Sequence, residues 1–219
     1  MGREKNAALI YSGGLDSTTM LYEYASVISL AINFSYGSNH NAEERRCARY
    51  HCEKLGIELI EIDLPFVKNH FESSLLSGAE SVPDGEYSDE NMSSTVVPFR
   101  NGIMLSVAAG VAESKGLKTI MMANHGGDHS IYPDCRPEFI EAMSKAIATG
   151  TYAGIQLEAP YTNLTKKDLA LKGLKLGIDY SMTYSCYRGG IQPCGRCATC
   201  LEREKALSEA FKEMQLKNN

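Results

Sequence analysis

The sequence predicts an α/β protein: a parallel sheet with helices on both faces, then a small C-terminal segment built on four cysteines. Apolar runs of strand length alternate with helical patterns from Ala7 to Gly177. A glycine-rich turn, Ser12-Gly13-Gly14-Leu15-Asp16-Ser17, separates the first run from the first helix. Near the other end, Cys186, Cys194, Cys197 and Cys200 follow the spacing C-x7-C-x2-C-x2-C. The expected division is 1–180 for the α/β body and 181–219 for the cysteine loop and the last helix.

The first strand is expected near Ala7–Tyr11, and the helix after the turn runs to about Ala25. Val27–Phe34 reads as the second strand and ends in a Tyr36-Gly37 turn. Asn41 with Glu44 three residues on predicts a capping box, and Ala48, Cys52 and Leu55 supply that helix's apolar face until Gly56. Ile57–Ile62 is the third strand. From Asp63 to Val97 the pattern weakens, and Ser77–Ser94, rich in Ser, Gly, Pro and acid, reads as a long excursion or lid. Phe99–Lys115 is a helix with an apolar stripe of Ile103, Met104, Val107, Ala108, Val111 and Ala112. Leu117–Ala123 is a strand, and Pro137 opens a helix to about Thr149. Ile155–Leu157 is the last strand, and Thr165 with Asp168 caps a helix that Gly177 ends. Ala198–Met214 is helical.

Composition narrows the function classes. The chain of 219 residues is 43% hydrophobic and 22% charged, enough for a substantial core. Its net charge of -5 argues against a dedicated nucleic-acid binder, which usually shows a basic excess. No apolar run approaches the ~18 residues needed to cross a bilayer, and Met1–Asn6 lacks a signal-peptide core. The expected location is therefore cytoplasmic, where the seven cysteines are metal ligands or buried thiols rather than disulfides. Cys47, Cys52 and Cys135 fit buried thiols.

The turn and the cysteines each point to a chemistry. Glycines let backbone N–H groups approach a phosphate, the serines add donors, and the helix start adds positive charge. The Gly-Lys-Ser/Thr end of a Walker loop is missing. Four thiolates among turn formers match a closed tetrahedral zinc site. An iron–sulfur cluster is the alternative, but no further cysteine stands at Leu201–Glu204.

Ser-Gly-Gly-x-Asp-Ser resembles the loop of the N-type ATP pyrophosphatases (the PP-loop, or adenine nucleotide alpha hydrolase-like, fold). Further stretches are Val97–Asn101, Asp128–Arg136, Leu164-Thr165-Lys166 and Thr183–Tyr187. With the cysteines they make the chain similar to the 7-cyano-7-deazaguanine synthase family across nearly its whole length. The resemblance implies a ligase that uses ATP, magnesium and zinc. It would adenylate a deazapurine carboxylate, capture it with ammonia as an amide, then activate the amide again and dehydrate it to the nitrile. Tyr11, Ser12, Gly13, Gly14, Leu15, Asp16, Ser17 and Thr18 would cradle the nucleotide's pyrophosphate, with Asp16 also placing magnesium. Asp16, Arg100 and Lys166 would carry catalysis; Asp128, Asp134, Arg136 and Arg100 would hold the substrate, one Asp reading the guanine-like edge. A cation at a helix start, as Lys166 is, needs an anion nearby.

The resemblance also implies a homodimer. Tyr36-Gly37-Ser38-Asn39-His40 departs from the family's Tyr-Gly-Gln-Arg/Lys-His, and Phe99 stands where Gly or Asn is usual. Those departures keep two related readings open: a ligase that stops at the amide, and one that joins the carboxyl to an amine of a protein partner. PP-loop tRNA thiolation and a binding module without catalysis are readings from other classes.

Overall fold

The computed structural model describes residues 5–78, 82–86, 93–127 and 132–217. Asp128 and half of the 77–94 excursion therefore lie outside the described residues. The chain builds β1 (Ala7–Ile10), α1 (Leu15–Glu23), β2 (Ile28–Ser35), α2 (Asn41–Leu55), β3 (Glu58–Asp63) and α3 (Pro65–His70). It continues with α4 (Arg100–Ser114), β4 (Thr119–Met121), α5 (Pro137–Gly150), β5 (Gln156–Glu158), α6 (Lys166–Lys175) and α7 (Ala198–Lys217). Short 3-10 turns occupy Pro133–Cys135 and Tyr180–Met182.

The five strands form one sheet in the order β3-β2-β1-β4-β5, and every neighbouring pair is parallel. From β1 the chain moves outward to β3, then returns to the other side of β1 as β4 and β5. The order reverses between β1 and β4, where open parallel sheets hold their ligands. Two apolar clusters cover the faces. One packs Leu105, Ala108 and Ala112 of α4 with Ile32 and Ile120, and the other packs Leu169 and Ala170 of α6 with Leu9 and Ala31. Ala206 and Ala210 of α7 join the second cluster, so the last helix is seated on the body.

The predicted elements appear, with boundaries moved where hydrogen bonds decide. The strand expected over Leu117–Ala123 shrinks to three residues, because Leu117 N–H closes α4 on Ala112 and the chain beyond Met122 turns into the site. On α4 the buried stripe includes Leu105 and Ala109, while Ile103, Val107 and Val111 are only partly buried. The capping box at Thr165 forms: Asp168 N–H donates to Thr165 Oγ1 at 3.2 Å, and Thr165 N–H donates to Asp168 Oδ2 at 2.9 Å.

The one expected at Asn41 does not form. His40 takes the cap position, and Asn41 Oδ1 instead accepts the backbone N–H groups of Tyr36, Gly37 and Ser38 at 3.1, 3.0 and 2.9 Å. An amide oxygen that collects three donors from the turn cannot also cap the helix behind it.

Two other expectations change. Ser93–Ser114 is long and apolar enough to cross a membrane by length and composition alone. Half of its window is buried, with Leu105, Ala108 and Ala112 fully enclosed, so it is a core segment. The described part of the excursion is docked rather than loose. Arg188 donates to Val82 O and Asp84 Oδ1 at 2.6 and 2.7 Å, and Gly85 N–H donates to Arg196 O at 2.9 Å.

Gly13 sits at φ +87°, and a Cβ there would lie 2.9 Å from Ala48 N and closer still to the Glu44 carbonyl oxygen. Both obstacles are α2 backbone. Gly13→Ala is expected to cost ~2 kcal/mol or more, lowering the unfolding midpoint in calorimetry by ~4–8 °C. Gly116→Ala, at φ +69° with nothing within 4 Å, should cost clearly less. Equal shifts for the two would remove the close approach to α2 as the cause.

Candidate active site and metal centre

One cavity opens at the C-terminal edge of the sheet, at the reversal between β1 and β4, with walls from the glycine turn, α2, α4, α6 and residues 184–199. Gly14 precedes α1, and no side chain among the described residues caps that helix, which leaves its first-turn N–H groups to a ligand. Ser12 Oγ accepts Gly14 N–H at 3.1 Å and lies 3.0 Å from Ser17 Oγ, so both hydroxyls are held at the mouth of the loop. Asn33 Nδ2 ties down the loop's carbonyls from β2, donating to Tyr11 O at 2.9 Å and Ser12 O at 3.4 Å. Behind the loop, Tyr11 OH and Thr18 Oγ1 bond to each other at 3.1 Å. Thr18 is fully buried there and is not among the cavity's lining residues, so it supports the loop from behind.

Lys166 begins α6, a position that disfavours a cation, and the anions it needs are present. Its Nζ lies 2.7 Å from Glu202 Oε2 and 3.6 Å from Asp16 Oδ2. His125, from the segment after β4, approaches the same Asp16 oxygen at 3.8 Å. The other oxygen, Asp16 Oδ1, is buried and accepts no hydrogen bond among the described residues. A buried carboxylate oxygen in that state suits a cation, and a hard oxygen donor suits magnesium.

The far wall is aromatic and holds Arg100. Its guanidinium lies 5.7 and 5.9 Å from the ring centres of Tyr36 and Tyr132 and donates to Tyr36 OH at 3.3 Å. Burial works against the charge, while Tyr36, Tyr187, Tyr132 and Asp134 hold it in place. Tyr132 OH and Tyr187 OH bond at 2.8 Å. Two groups of α2's start also face the cavity. Burial, aided by Arg100, pushes His40 down to about 4, so it is neutral, and its 3.8 Å approach to Glu44 is no ion pair at neutral pH. Burial pushes Glu44 up to about 8, with Arg100 opposing.

Other sequence-predicted residues stand apart. Asp134 is buried but not in the lining: its Oδ2 accepts Asn101 N–H at 2.8 Å and holds the start of α4. Arg136 is exposed and also outside the lining, because it precedes α5 on the surface side. Cys135 is a buried thiol as expected, and its Sγ accepts Asn101 Nδ2 at 3.2 Å at the cavity wall. Glu44, Tyr132, Tyr184 and Tyr187 were not foreseen as site residues. For Glu44 a signal existed: His40 and Glu44 are four apart at a helix start and share a face.

The four cysteine Sγ atoms lie within 4.8 Å of one another. Thiolates ~2.3 Å from a common tetrahedral ion are ~3.8 Å apart, so the set fits zinc. The N–H groups of Cys194 and Cys197 point at the sulfurs of Cys186 and Cys194, each at 3.4 Å. The thiols of Cys186 and Cys200 draw the Cys197 thiol far down, toward the thiolate a metal needs. Ser185, Tyr187 and Thr199, interleaved with these ligands, line the cavity.

Comparison with known proteins gives one answer. The sequence pattern of the family described as queuosine biosynthesis protein QueC matches residues 6–211. A protein of Porphyromonas gingivalis named 7-cyano-7-deazaguanine synthase is 55% identical over 210 residues, covering 96% of each chain. One of the same name from Desulfotalea psychrophila is 46% identical over 204 residues, covering 92% of this chain and 93% of the other. Among solved structures, an NMN synthetase from Francisella tularensis superposes with a TM-score of 0.52 at 10% identity, over 96% of this chain and 87% of that one. That likeness concerns the fold alone.

The purified protein is expected to hold one zinc per chain by elemental analysis. Cys197→Ser should lose it and about 4 kcal/mol or more of stability, ~8–16 °C in midpoint. Full stability without metal would count against a structural zinc.

Proposed function

We propose, from the premise that this chain belongs to the QueC family, that it is an ATP-dependent ligase converting 7-carboxy-7-deazaguanine and ammonia to 7-cyano-7-deazaguanine. The observation that carries the reading is the pairing, in one cavity, of an uncapped PP-loop with Lys166 and an aromatic chamber with Arg100. A carboxylate oxygen is a poor leaving group at neutral pH, and transfer of AMP to it makes a good one. ATP lies with its phosphates on the N–H groups of the loop and α1, beside the hydroxyls of Ser12 and Ser17. Lys166 leaves Glu202 and Asp16 for the phosphates as charge develops there. Asp16, through its Oδ1, would hold a magnesium ion, which would supply positive charge to the pyrophosphate.

The flat deazapurine occupies the chamber between Tyr36 and Tyr132, and its carboxylate meets Arg100. Asp128, outside the described residues, remains the candidate reader of the base edge, since Asp134 commits an oxygen to α4. Ammonia displaces AMP to give the amide. A second adenylation, on the amide oxygen, allows loss of that oxygen with AMP and leaves the nitrile. Residues 1–180 carry the nucleotide and 181–219 close one wall over it with the zinc segment. Cytoplasmic location and a homodimer belong to the same reading.

Mass spectrometry of protein with ATP, magnesium, ammonium and 7-carboxy-7-deazaguanine should show the nitrile, one water lighter than the amide, with one AMP for each of the two stages. Lys166→Met and Arg100→Met should each lower kcat by ~10²–10³-fold. An amide that accumulates in the wild type would end the nitrile reading.

A further inference from the structure

The reaction moves protons as well as phosphates, and Lys166 and Arg100, both cations, are unsuited to accept them. When ammonia attacks the acyl adenylate, a C–N bond forms, the C–O bond to AMP breaks and one N–H proton must leave. In the second stage the adenylated amide loses AMP as its nitrogen gives up its remaining protons and the C≡N bond forms. Both stages therefore need a base beside the same carbon, on the side of the incoming nitrogen.

Glu44 is the group the structure offers. It projects from the first turns of α2 into the cavity shared with Ser12, Asp16 and Ser17, and its own backbone carbonyl packs against Gly13 of the phosphate loop. The charged and titratable groups around it come from every wall. Arg100 stands on α4, Tyr36 and His40 follow β2, Tyr184 and Tyr187 flank Cys186, Tyr132 closes the top, and Asp16 and Lys166 lie across the loop. Of these, His40 is buried neutral, and Asp16 belongs to the phosphate loop at the start of α1, the end of the cavity assigned to the pyrophosphate. Asp134 turns away to Asn101.

We propose that the carboxylate of Glu44 accepts the protons released by the nitrogen in both stages, while Arg100 holds the oxygen side of the same carbon. This rests on the ligase reading above. Each transfer is N–H to carboxylate oxygen. In the first stage the nitrogen lone pair makes the C–N bond, and one proton leaves with its bonding pair kept on nitrogen. In the second, two protons leave as the C≡N bond is completed, and in both AMP departs with the C–O pair. Glu44 passes each proton to water before it accepts the next, and is a carboxylate again at product release. Because burial pushes Glu44 up to about 8, its base form appears as pH rises through that value, close to where a general base works best.

The test compares wild type, Glu44→Gln and Glu44→Asp in two assays across pH 6 to 9.5. ATP–pyrophosphate exchange with 7-carboxy-7-deazaguanine reads adenylation, and amide and nitrile formation read nitrogen capture. Gln resembles the protonated acid present near neutrality, so the fold should persist, and its melting curve checks this. The expected result is a ~10²–10⁴-fold loss of amide and nitrile formation in Glu44→Gln, far beyond any loss of exchange. The rising limb near pH 8 should vanish, and Glu44→Asp should restore part of both.

Equal losses in exchange and capture would overturn the proposal and make Glu44 a substrate-holding group. An unchanged pH limb in Glu44→Gln would also overturn it. A wild type that shows no exchange with this acid fails at the ligase reading instead, a separate and distinguishable outcome.

Discussion

The contact between the backbone of Gly13 and the backbone of α2 organises the rest of the molecule. No side chain could stand between them, since a Cβ at Gly13 would press on Ala48 N and the Glu44 carbonyl. On its other side, Gly13 O accepts Tyr184 N–H at 3.1 Å. One residue thus joins the phosphate loop, the helix that carries Glu44 and the segment that leads to the cysteines. Because peptide groups rather than flexible side chains make these contacts, a shift of one part is passed to the other two.

Around that node the charges are arranged so that each buried one has a partner that a ligand could replace. Lys166 rests against Glu202 and Asp16 at the phosphate end. Arg100 rests over tyrosine faces and a phenol oxygen at the other, a softer setting that holds a guanidinium without neutralising it. The two cations differ accordingly. Lysine is a point charge that can turn from carboxylates to phosphates, whereas the planar guanidinium is fixed by stacking. A reaction that shifts negative charge from a carboxylate to a departing pyrophosphate needs a fixed cation where the acid sits and a mobile one where the phosphates move.

Much of this was legible in the sequence where local chemistry decides. The glycine turn, the alternation of strands and helices, the cap at Thr165 and the cysteine spacing all depend on near neighbours, and all appear. Asn41 and Glu44 misled because the rule behind a capping box is also local, while the preceding turn and the cavity claimed both side chains. Asp134 and Arg136 stood in a matching stretch, but a 3-10 turn brings residues three apart onto one face, so Tyr132 and Cys135 line the cavity together while Asp134 and Arg136 point elsewhere. Phe99 shows the reverse. Its place is one where Gly or Asn is usual, and it adopts φ +52°, a left-handed conformation that costs ~1–2 kcal/mol. Its ring, 5.7 Å from that of Phe139 and packed over Gly102, offsets part of that strain.

The cysteine segment is a wall of the site rather than an appendage to it. Thr199, between two ligands, donates to Ser185 O at 2.8 Å, and Arg203, on the same helix, donates to Ser185 Oγ at 3.2 Å. Glu202, two residues after Cys200, is the carboxylate that holds Lys166. A closed metal site has no open position for chemistry, yet an ion held there would fix the start of α7 and with it both Thr199 and Glu202. A metal held by the four cysteines would thus act at a distance, through the start of α7, on where Glu202 holds Lys166.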